Sequence, residues 1–384
     1  MAGALDNLKI LDFSRVLAGP FATMLLADLG AEVLKVERPG VGDDTRGWGP
    51  PFDERGQATY FASVNRNKRS APLDLQDPEH IARARALAAE ADVIVENFRP
   101  GLLDGVGLGY EDIRRDRPSV IYCSITAFGR GAGAELAGYD LLVQAVGGLM
   151  SITGPSDGEP QKVGVAIVDV LAGLFAAVGI LAAVRHRDVT GEGQRVEVDL
   201  LTSLLAALVN QGSGYTIGGV IPRRLGNAHP SIVPYELFDT ADGQLVLAVG
   251  TDRQFQSLCA VLGSAELAGD ERFATNPQRV EHRNALRLEL ERRLATSSAR
   301  AWAEKLTTAR VPAGTVNDLA GAFALAASLG LEPIVDVPSE GGGSVRLTRN
   351  PIGLSVTPPT YRSAPPPLGT DPLPAELRGP AEPV

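Results

Sequence analysis

Apolar residues near the start of the chain form short runs separated by one longer segment of helical period. The runs at residues 8–13 and 32–37 predict buried strands, and residues 21–29 between them predict a helix. This order of strand, helix and strand is the opening unit of a parallel α/β sheet. Ligands bind such sheets where loops leave the carboxyl ends of strands, so residues 14–20 and 38–46 are predicted to border a site.

The same alternation of strands and helices continues through the first half of the chain. Further strands are predicted at residues 92–96, 120–125 and 195–199, and further helices at residues 78–90, 110–115, 139–146 and 200–211. This pattern is typical of an α/β fold with a mostly parallel sheet.

Residues 235–249 contain the turn Ala241-Asp242-Gly243 and predict a β-hairpin, which predicted helices follow at 253–262, 283–295 and 299–309. The stretch before the hairpin is rich in glycine, proline and polar residues, as linkers are. We therefore predict this layout: a large domain over residues 1–211, a linker over 212–234, a small α+β domain over 235–325, and a return to the large domain with the C-terminal tail over 326–384.

A mostly apolar stretch runs from Lys162 to Arg185, and the one charged residue between these cations is Asp169. Residues 163–168 favour a strand or an extended approach, and a helix is predicted from Val170 onward. Asp169 would lie at the positive N-terminal end of that helix. Three interpretations stay open from the pattern: a helix cap, an acidic residue in a membrane helix, or a catalytic carboxylate in an apolar site. Against the membrane helix, a carboxylate in mid-membrane costs at least about 2.5 kcal/mol.

Composition and charge argue against several classes of function. The 384 residues carry a formal net charge of −10, so a nucleic-acid partner is not expected. The two cysteines are far apart and none of the four histidines has metal-ligand spacing, so neither a disulfide framework nor a metal site is expected. The first loop is not a G-x-G-x-x-G fingerprint, and G-x-S-x-G is absent. No export signal opens the chain, so we expect a cytoplasmic protein without a membrane partner.

Several cations lie at the ends of N-terminal elements. They are Arg15, Arg38, Arg46, Lys68, Arg69 and Arg99. Cations collected at one rim of a sheet suit a phosphorylated ligand, although each one alone is also an ordinary surface residue. Asn97-Phe98-Arg99 directly follows a predicted strand, and an aromatic or guanidinium plane there suits a purine ring.

A set of segments along the chain carries a family resemblance. They are LDFSRVLAGPFATMLLADLGAEVLKVERPGVGDDTR near the start, then NRNKRSAPLDL, ADVIVENFRPG, GYDLLVQAVGG, VGVAIVDVLAG, TGEGQRVEVDL, GNAHPSIVPYELFDTADG and the closing APPPLGTD. In this order they resemble the class III coenzyme A transferases of the CaiB/BaiF type. That family includes carnitine and formyl-CoA transferases and the related α-methylacyl-CoA racemases. The likeness covers about residues 5–372.

The resemblance implies a Rossmann-like large domain from both chain ends, a small domain between them, and two chains interlocked as a homodimer. It also implies that Asp169 attacks the donor thioester and forms an acyl–aspartyl anhydride. The CoA thiolate then attacks the aspartyl carbonyl to give an enzyme–CoA thioester, and the acceptor acid repeats these steps in reverse. Backbone N–H groups at the start of the following helix would stabilise the oxyanions. The expected co-substrate is a CoA thioester, with no metal and no bound cofactor.

The resemblance also assigns CoA-binding roles, position by position. The residues are Arg15, Val16 and Ala18 along the CoA chain, Arg38 with Lys68 or Arg69 at the ADP phosphates, and Asn97, Phe98 and Arg99 at the nucleotide. All of them fall at the ends of N-terminal elements, where the sheet pattern predicts a site.

The transferase and racemase branches share the aspartate, so a second residue must separate them. The resemblance places a histidine in the racemases where this chain has Tyr139, in the motif Gly138-Tyr139-Asp140. An unperturbed tyrosine with a pKa near 10 is a poor partner for proton exchange at neutral pH. We therefore favour a transferase, with Tyr139 as a candidate contact of the acyl group. An α-methylacyl-CoA racemase stays the alternative, and a non-catalytic CoA-binding subunit the second alternative.

The predicted donor is succinyl-CoA and the predicted acceptor a small dicarboxylic acid. The stretch GNAHPSIVPY resembles the glutarate-type transferases, and Leu17 replaces a glutamine of the oxalate-acting branch. Leu17 and Arg46 are the candidate acceptor contacts, and Arg46 or the pair Arg223-Arg224 would hold the distal carboxylate. That pair is equally consistent with a solvated linker. Near the C-terminus, Gly369-Thr370-Asp371 replaces the Gly-x-His-Thr of the family.

Overall fold

The computed structural model describes residues 3–369, which divide into two compact units. The first unit contains the chain up to Leu149, Val163–Val220 and the chain from Glu332 onward. The second unit contains Met150–Lys162 and Ile221–Leu331.

A six-stranded sheet forms the centre of the first unit. Its strands are β1 (Lys9–Asp12), β2 (Glu32–Glu37), β3 (Lys68–Pro72), β4 (Val93–Glu96), β5 (Ile121–Thr126) and β6 (Arg195–Asp199). All neighbouring strands run parallel, in the order β3-β2-β1-β4-β5-β6. The predicted α/β fold with a parallel sheet is confirmed. The strand order reverses between β1 and β4, which is where ligands bind in open sheets of this topology.

β3 is the strand of this sheet that the apolar pattern does not predict. Its sequence KRSAP has no apolar run, yet the Lys68 and Ser70 side chains are buried. They are hydrogen-bonded to the carboxylates of Asp12 and Glu37, respectively. A strand stabilised by buried polar partners gives no hydrophobic periodicity, and such strands escape prediction from pattern alone.

Helices occur between and after the strands of this sheet, over residues 18–216. They are α1 (Ala18–Asp28), a 3-10 helix (Asp44–Gly47), α2 (Thr59–Ser63), α3 (Pro78–Glu90), α4 (Leu102–Gly105), α5 (Tyr110–Asp116), α6 (Asp140–Val146), α7 (Leu149–Ile152), α8 (Ile167–Thr190), α9 (Leu200–Ala207) and α10 (Val209–Thr216). α1 begins three residues before the helix predicted at 21–29. The helix predicted at 200–211 is divided at Leu208 and continues to Thr216.

α8 packs against α1 and against strands β5 and β6 in the main hydrophobic core. Small side chains make this packing close: a Cβ on Gly173 would lie 2.6 Å from the carbonyl oxygen of Ala18. Among residues 3–369, α8 is the one helix long and apolar enough to cross a membrane by length and composition. Its buried face, which includes Ala172, Ala176 and Ile180, is that of a helix in a protein core.

The segment after Glu332 is hydrogen-bonded to the end of α1. It contains an antiparallel hairpin of two strands, Ile334–Pro338 and Ser344–Thr348. Farther on, the guanidinium of Arg362 donates to the carbonyl oxygens of Ala27, Gly30 and Ala31. Ala27 belongs to the last turn of α1, where carbonyl groups have no partner within the helix, and Gly30 and Ala31 follow the helix.

The second unit contains a three-stranded antiparallel sheet and a set of helices. Its elements are β7 (Tyr235–Asp239), β8 (Gln244–Ala248), α11 (Asp252–Val261), α12 (Ala265–Gly269), α13 (Asn276–Glu281), α14 (Arg283–Leu294), α15 (Ala299–Thr308), β9 (Ala313–Thr315) and α16 (Leu319–Ser328). The predicted hairpin and the three predicted helices are confirmed, with ends that differ by a residue at most from the prediction. A separate hydrophobic core, with Phe238, Phe255 and Leu290 at its centre, stabilises this unit.

Candidate active site

Asp169 lies in the first turn of α8, as its third residue. Asp169 is therefore not the helix cap, as one interpretation had it. The N-cap residue is Ala166, whose side chain forms no capping hydrogen bond. Residues 163–168 were predicted as a strand or an extended approach; residues 163–166 form no strand and lead into the helix, which begins at Ile167. The cap comes from Asp140 instead, at the start of α6. One of its carboxylate oxygens accepts the N–H groups of Val168 at 2.7 Å and of Asp169 at 3.4 Å.

Asp140 is buried and held in place by its own helix. Its second carboxylate oxygen accepts a hydrogen bond of 2.6 Å from the Gln144 amide, one turn later in α6. The amide oxygen of Gln144 accepts the N–H of Val163 at 2.9 Å, on the extended approach to α8. The start of α6 therefore fixes the start of α8, and with it the backbone of Asp169.

These contacts correct the expected source of oxyanion stabilisation. Two N–H groups of the first turn of α8 are bonded to Asp140, and the N–H groups of Ile167 and Val170 donate to the carbonyl oxygens of Val165 and Ala166. The start of α8 therefore offers a reacting group no backbone donor at these positions.

The environment of Asp169 makes its carboxylate basic. Burial raises the pKa of this group from 3.8 to about 7, and the negative charge of nearby Asp140 adds to the shift. A carboxylate with a raised pKa is a stronger base and nucleophile once ionised, and it is ionised at or slightly above neutral pH. The side chain is thus suited to attack an acyl group.

Asp169 borders a cavity of about 370 Å³ in the first unit. This cavity brings together most of the site residues that the sequence predicted: Arg15, Val16, Leu17, Ala18, Asn97, Phe98, Arg99 and Tyr139. Residues 125–129 and 133–139, which include part of the glycine-rich loop, form another wall. Tyr139 is 66 % exposed, whereas Leu17 is 8 % exposed.

The turn at residues 14–16 has an unusual backbone. Val16 has a φ of +69°, which a β-branched residue rarely adopts. The side-chain amide of Asn97 holds the preceding residue from both sides: it accepts the N–H of Arg15 at 2.8 Å and donates to its carbonyl oxygen at 2.7 Å. Asn97 therefore holds the backbone of Arg15, and it also lines the cavity, where its contact with the ligand stays a prediction.

A second cavity of about 440 Å³ shares Arg15 and Phe98 with the first. Arg38 lies on it, and its apolar lining comes from Phe13, Val36, Leu73, Leu75, Leu102 and Val106. The guanidinium of Arg15 lies 5.0 Å from the centre of the Phe98 ring. Arg15 and Arg38 both form ion pairs with Asp44, at 3.4 and 2.5 Å. One cation, Arg15, and one aromatic ring, Phe98, therefore border both cavities, and Arg38 lies on the second.

Three predicted ligand residues lie elsewhere. The Lys68 ammonium is fully buried and donates to Asp12, Asn65 and the carbonyl oxygen of Pro20, so the expected phosphate contact is wrong for this side chain. The Arg46 guanidinium forms two bonds to Glu37 and lies 3.7 Å from the centre of the Phe61 ring, away from Asp169's cavity. Arg69 is exposed and, with Arg46, lines a third cavity of about 730 Å³.

The remaining predicted cations have protein partners or lie in the other unit. Arg99 is exposed and pairs with Glu135 at 3.1 Å. Arg223 and Arg224 belong to the second unit, where Arg224 donates to the carbonyl oxygens of Pro155 and Gly158. In the tail motif 369–371, only Gly369 is among the described residues, and Thr370 and Asp371 lie outside them.

Sequence reasoning missed two residues whose electrostatics are linked to Asp169. Asp140 was seen only as part of the motif after Tyr139, although an aspartate at a predicted helix start is a signal for capping. The second is Tyr60: burial raises the pKa of its phenol, and the negative charges of Asp169, Asp140 and Asp43 add to the shift. The Trp48 ring contacts Tyr60 edge-on at 5.5 Å between centres. No sequence pattern points to Tyr60.

The donor groups at this site do not suit a metal ion. Between residues 3 and 369 no group of three or more histidine, cysteine, aspartate or glutamate side chains could hold one. The site instead combines one basic carboxylate with apolar and aromatic walls and arginines at a distance, which suits acyl transfer from a large anionic thioester.

Comparison with known proteins gives a consistent result. The sequence model of CoA-transferase family III matches residues 5–372. The succinate–glutarate CoA-transferase of Agrobacterium fabrum is 45% identical over 373 residues, which cover 95% of this chain and 93% of that protein. The mouse succinyl-CoA:glutarate CoA-transferase is 45% identical over 363 residues, or 92% of this chain and 83% of its own length. Among solved structures, a CAIB/BAIF family protein from Brucella suis is 43% identical and has a TM-score of 0.85, over 96% of this chain and 97% of that one.

Proposed function

This chain belongs to CoA-transferase family III, and we propose that it moves CoA from succinyl-CoA to a dicarboxylic acid of the glutarate type. One observation carries the proposal. A carboxylate with a pKa raised to about 7 lies on a cavity that shares Arg15 and Phe98 with a second, cation-bearing cavity. The names of the relatives supply the donor and acceptor classes: glutarate for the bacterial and mouse proteins, and mesaconate for a Haloarcula hispanica protein that is 40% identical.

In the first half-reaction, the ionised Asp169 attacks the thioester carbonyl of succinyl-CoA and the C–S bond breaks. The products are a mixed anhydride on Asp169 and the CoA thiolate. The thiolate then attacks the aspartyl carbonyl of the anhydride and releases succinate, which leaves Asp169 as a CoA thioester. Covalent catalysis of this kind replaces one difficult exchange between acid and thioester by steps that each use a good leaving group.

In the second half-reaction, the carboxylate of the acceptor attacks the Asp169 thioester and expels the thiolate. The thiolate attacks the acceptor carbonyl of the new anhydride, which gives the acceptor's CoA thioester and restores the Asp169 carboxylate. Ala18 lines the cavity as the first residue of α1, where helix N–H groups have no partner within the helix. We assign its N–H as a donor to the oxyanions, in place of the groups at the start of α8.

The two cavities suggest how the CoA thioester lies. The nucleotide occupies the apolar second cavity, with Arg38 at its phosphates and Arg15 beside it. The pantetheine arm passes the Phe98 ring and Val16, and brings the thioester to Asp169. Arg99 lines the first cavity beside this path, whereas Arg69 lines the third cavity and has no contact with CoA in this arrangement. Lys68 has no contact with CoA in this arrangement.

The acceptor needs polar contacts that Arg46 does not supply, because Glu37 holds its guanidinium. The Tyr139 phenol is better placed, because it lines the cavity. We propose that its hydroxyl group donates to the acyl or acceptor carboxylate, and that Leu17 closes the cavity with an apolar side chain. The α-methylacyl-CoA racemase alternative lacks a proton-exchanging partner at position 139, where an exposed tyrosine stands.

We also propose that the protein acts as a homodimer, as the resemblance implies. Support comes from the exposed apolar side chains of α8, which include Leu174, Phe175 and Val178. Light scattering of the purified protein tests this: a mass of two chains is expected, and a single-chain mass contradicts it.

The experiment for the function is an acyl-exchange assay in heavy water, read by mass spectrometry. The protein receives succinyl-CoA with a panel of dicarboxylic acids and, separately, a 2-methylacyl-CoA. A new acyl-CoA that depends on the added acid is expected, and it names the acceptor. Deuterium at the α-carbon without CoA exchange would overturn the transferase and favour the racemase. Binding of CoA with neither product would favour the non-catalytic subunit.

A further inference from the structure

We propose that Asp43, paired with Lys35, is a positioning residue for the CoA thioester, because it holds the turn at residues 14–16 in its ligand-binding shape. The proposal rests on the proposed function for the identity of the ligand. Neither residue has an assigned role above, and both side chains are completely buried.

The turn requires something to hold it. A valine at a φ of +69° places its branched side chain against its own backbone, a conformation that persists only when the surroundings enforce it. Strained residues of this kind gather at functional sites. Val16 lines the cavity of Asp169, so its conformation decides the shape of the wall along which the thioester lies.

Side chains from other elements hold the main chain of this turn at each of its three residues. The ammonium of Lys35 donates to the carbonyl oxygen of Ser14 at 2.7 Å. Asn97 holds both polar groups of Arg15, as described above. The N–H of Val16 donates to the Asp43 carboxylate, 3.3 Å from each oxygen. Lys35 and Asp43 are therefore hydrogen-bonded to opposite ends of the turn, and a 2.9 Å ion pair joins them to each other.

The same carboxylate fixes a second ligand-facing segment. Asp43 is the N-cap of the 3-10 helix Asp44–Gly47 and accepts the N–H and the hydroxyl of Thr45, at 3.0 and 2.7 Å. The next residue, Asp44, pairs with Arg15 and Arg38, the two cations beside the cavities. The buried carboxylate of Asp43 thus holds the turn at Val16 and positions Asp44, the residue that pairs with Arg15 and Arg38.

Charge keeps this arrangement in place at neutral pH. Burial alone would raise the pKa of Asp43, but Lys35 and the hydrogen bonds of Thr45 outweigh it and hold the pKa below its usual range. Burial likewise opposes the charge on Lys35, but Asp43, Asp12 and Glu37 together raise its pKa. Glu37 also accepts the N–H of Asp43 at 2.9 Å. Both members of the pair are therefore ionised, and loss of one charge leaves the other buried without its nearest partner.

The test is a double-mutant cycle of Asp43→Asn and Val16→Gly, measured as the KM for succinyl-CoA, the KM for the acceptor, and the Kd of CoA by calorimetry. Asp43→Asn is expected to raise the KM and Kd of the CoA ligands at least about tenfold, with the KM of the acceptor little changed. Glycine adopts a positive φ without strain, so Asp43→Asn combined with Val16→Gly should raise the KM by less than about threefold relative to Val16→Gly alone.

The matched control is Asp28→Asn. Asp28 forms an equally buried ion pair with Arg66 in the same unit, at 2.6 Å, and lines neither cavity. This change should lower the Tm without altering the KM for succinyl-CoA. If Asp43→Asn does not fold, Asp43→Glu keeps the charge, displaces the acceptor atoms from Val16, and should raise the KM in the same direction.

Two results would overturn the proposal: a lowered Tm with an unchanged KM and Kd for CoA ligands, or an equal effect of Asp43→Asn with and without Val16→Gly. Failure of the proposed function is recognised separately. In that case the wild-type protein transfers CoA to no acid in the panel, while the Kd measurements with CoA still decide the role of Asp43.

Discussion

Two groups of buried carboxylates lie in the first unit, and their neighbours give them opposite properties. Asp43 has a lysine at 2.9 Å, and its pKa is held below the usual range against the effect of burial. Asp169 is also mostly buried, but the charge that acts on it is the negative charge of another carboxylate, Asp140. Its pKa is therefore raised to about 7. Burial is common to both, so the sign of the neighbouring charge decides between a structural anion and a reactive one.

The comparison also explains why the two kinds of carboxylate are close together. Asp43 is matched to its surroundings and shapes the turn at Val16, on the wall of the cavity. Among residues 3–369 no ion pair with a cation is found for Asp169, and we propose that this carboxylate carries the chemistry in the same cavity. A rigid, charge-matched support beside an unmatched nucleophile is what a preorganised covalent catalyst requires.

The largest expected effect is that of Asp169→Ala. Loss of the nucleophile should reduce the CoA-transfer rate by about 10³-fold or more, while CoA still binds, because no CoA contact depends on this carboxyl group. The measurement is the steady-state rate with succinyl-CoA and the best acceptor, together with the Kd of CoA. A variant that keeps more than about a tenth of the rate contradicts the assigned role.

Asp43 holds the turn before α1, and Asp169 lies on α8. These two regions are joined by the close approach of α1 and α8 at Gly173. Gly173→Ala places a methyl group 2.6 Å from the backbone oxygen of Ala18, so one helix must shift. We expect a loss of about 1–3 kcal/mol in the free energy of unfolding, with a lower transfer rate because Ala18 and Asp169 move apart. Gly179→Ala on the same helix is the control, since its methyl group meets only the Val196 side chain. Equal effects of the two changes would contradict this account.

Removing the like charge next to the nucleophile should shift the pH dependence of the reaction. Wild-type kcat/KM is expected to fall as the pH drops through about 7, where Asp169 takes up a proton. Asp140→Asn removes the repulsion, so this acid limb should move to lower pH, and the rate should fall by about tenfold because a capping bond is weakened.

The control for this prediction is Gln144→Leu. It removes a support of Asp140 but leaves the charge, so the rate should fall while the position of the acid limb stays close to that of the wild type. An acid limb that does not respond to Asp140→Asn would show that Asp140 has no influence on the ionisation of Asp169.

The smallest expected effect is on the free energy of unfolding, and its sign differs between variants of Asp169 and of Asp43. The pKa of Asp169 is higher in the folded than in the unfolded state. Below pH 3.8 the group is protonated in both states and does not lower the free energy of unfolding, and from there up to about pH 7 it lowers that free energy progressively. At pH 8, Asp169→Asn should therefore raise the free energy of unfolding by about 1–2 kcal/mol, with partial exposure limiting the gain. Asp43→Asn should lower it at the same pH. Thermal unfolding at pH 4 and pH 8 measures both, and the same sign for both variants at pH 8 would contradict the comparison.

The sequence predicts much of the sheet and the place of the site, because buried parallel strands appear in the sequence as short apolar runs. Arg15, Val16, Ala18 and Phe98 were expected to contact CoA, and they line the cavity of Asp169. β3 escaped prediction because its buried side chains are polar, and burial of polar groups depends on partners far away in the chain.

Ion pairs and caps account for the other differences. Lys68 and Arg46 have the residue type of phosphate or carboxylate ligands, yet Asp12 and Glu37 bind them inside the protein. Asp140 lies 29 residues before Asp169 in the chain and caps its helix from outside. Such pairings join residues that are distant in sequence, and a single sequence does not reveal them without the fold.

The most direct test of the central claim is to trap the intermediate. Protein incubated with succinyl-CoA and no acceptor is quenched in acid, digested, and its peptides are analysed by mass spectrometry. We expect the peptide that contains Asp169 to carry CoA as a thioester, and Asp169→Asn, analysed in parallel, to carry none. CoA attached to another residue, or no adduct in a protein that transfers CoA at a normal rate, would contradict the account.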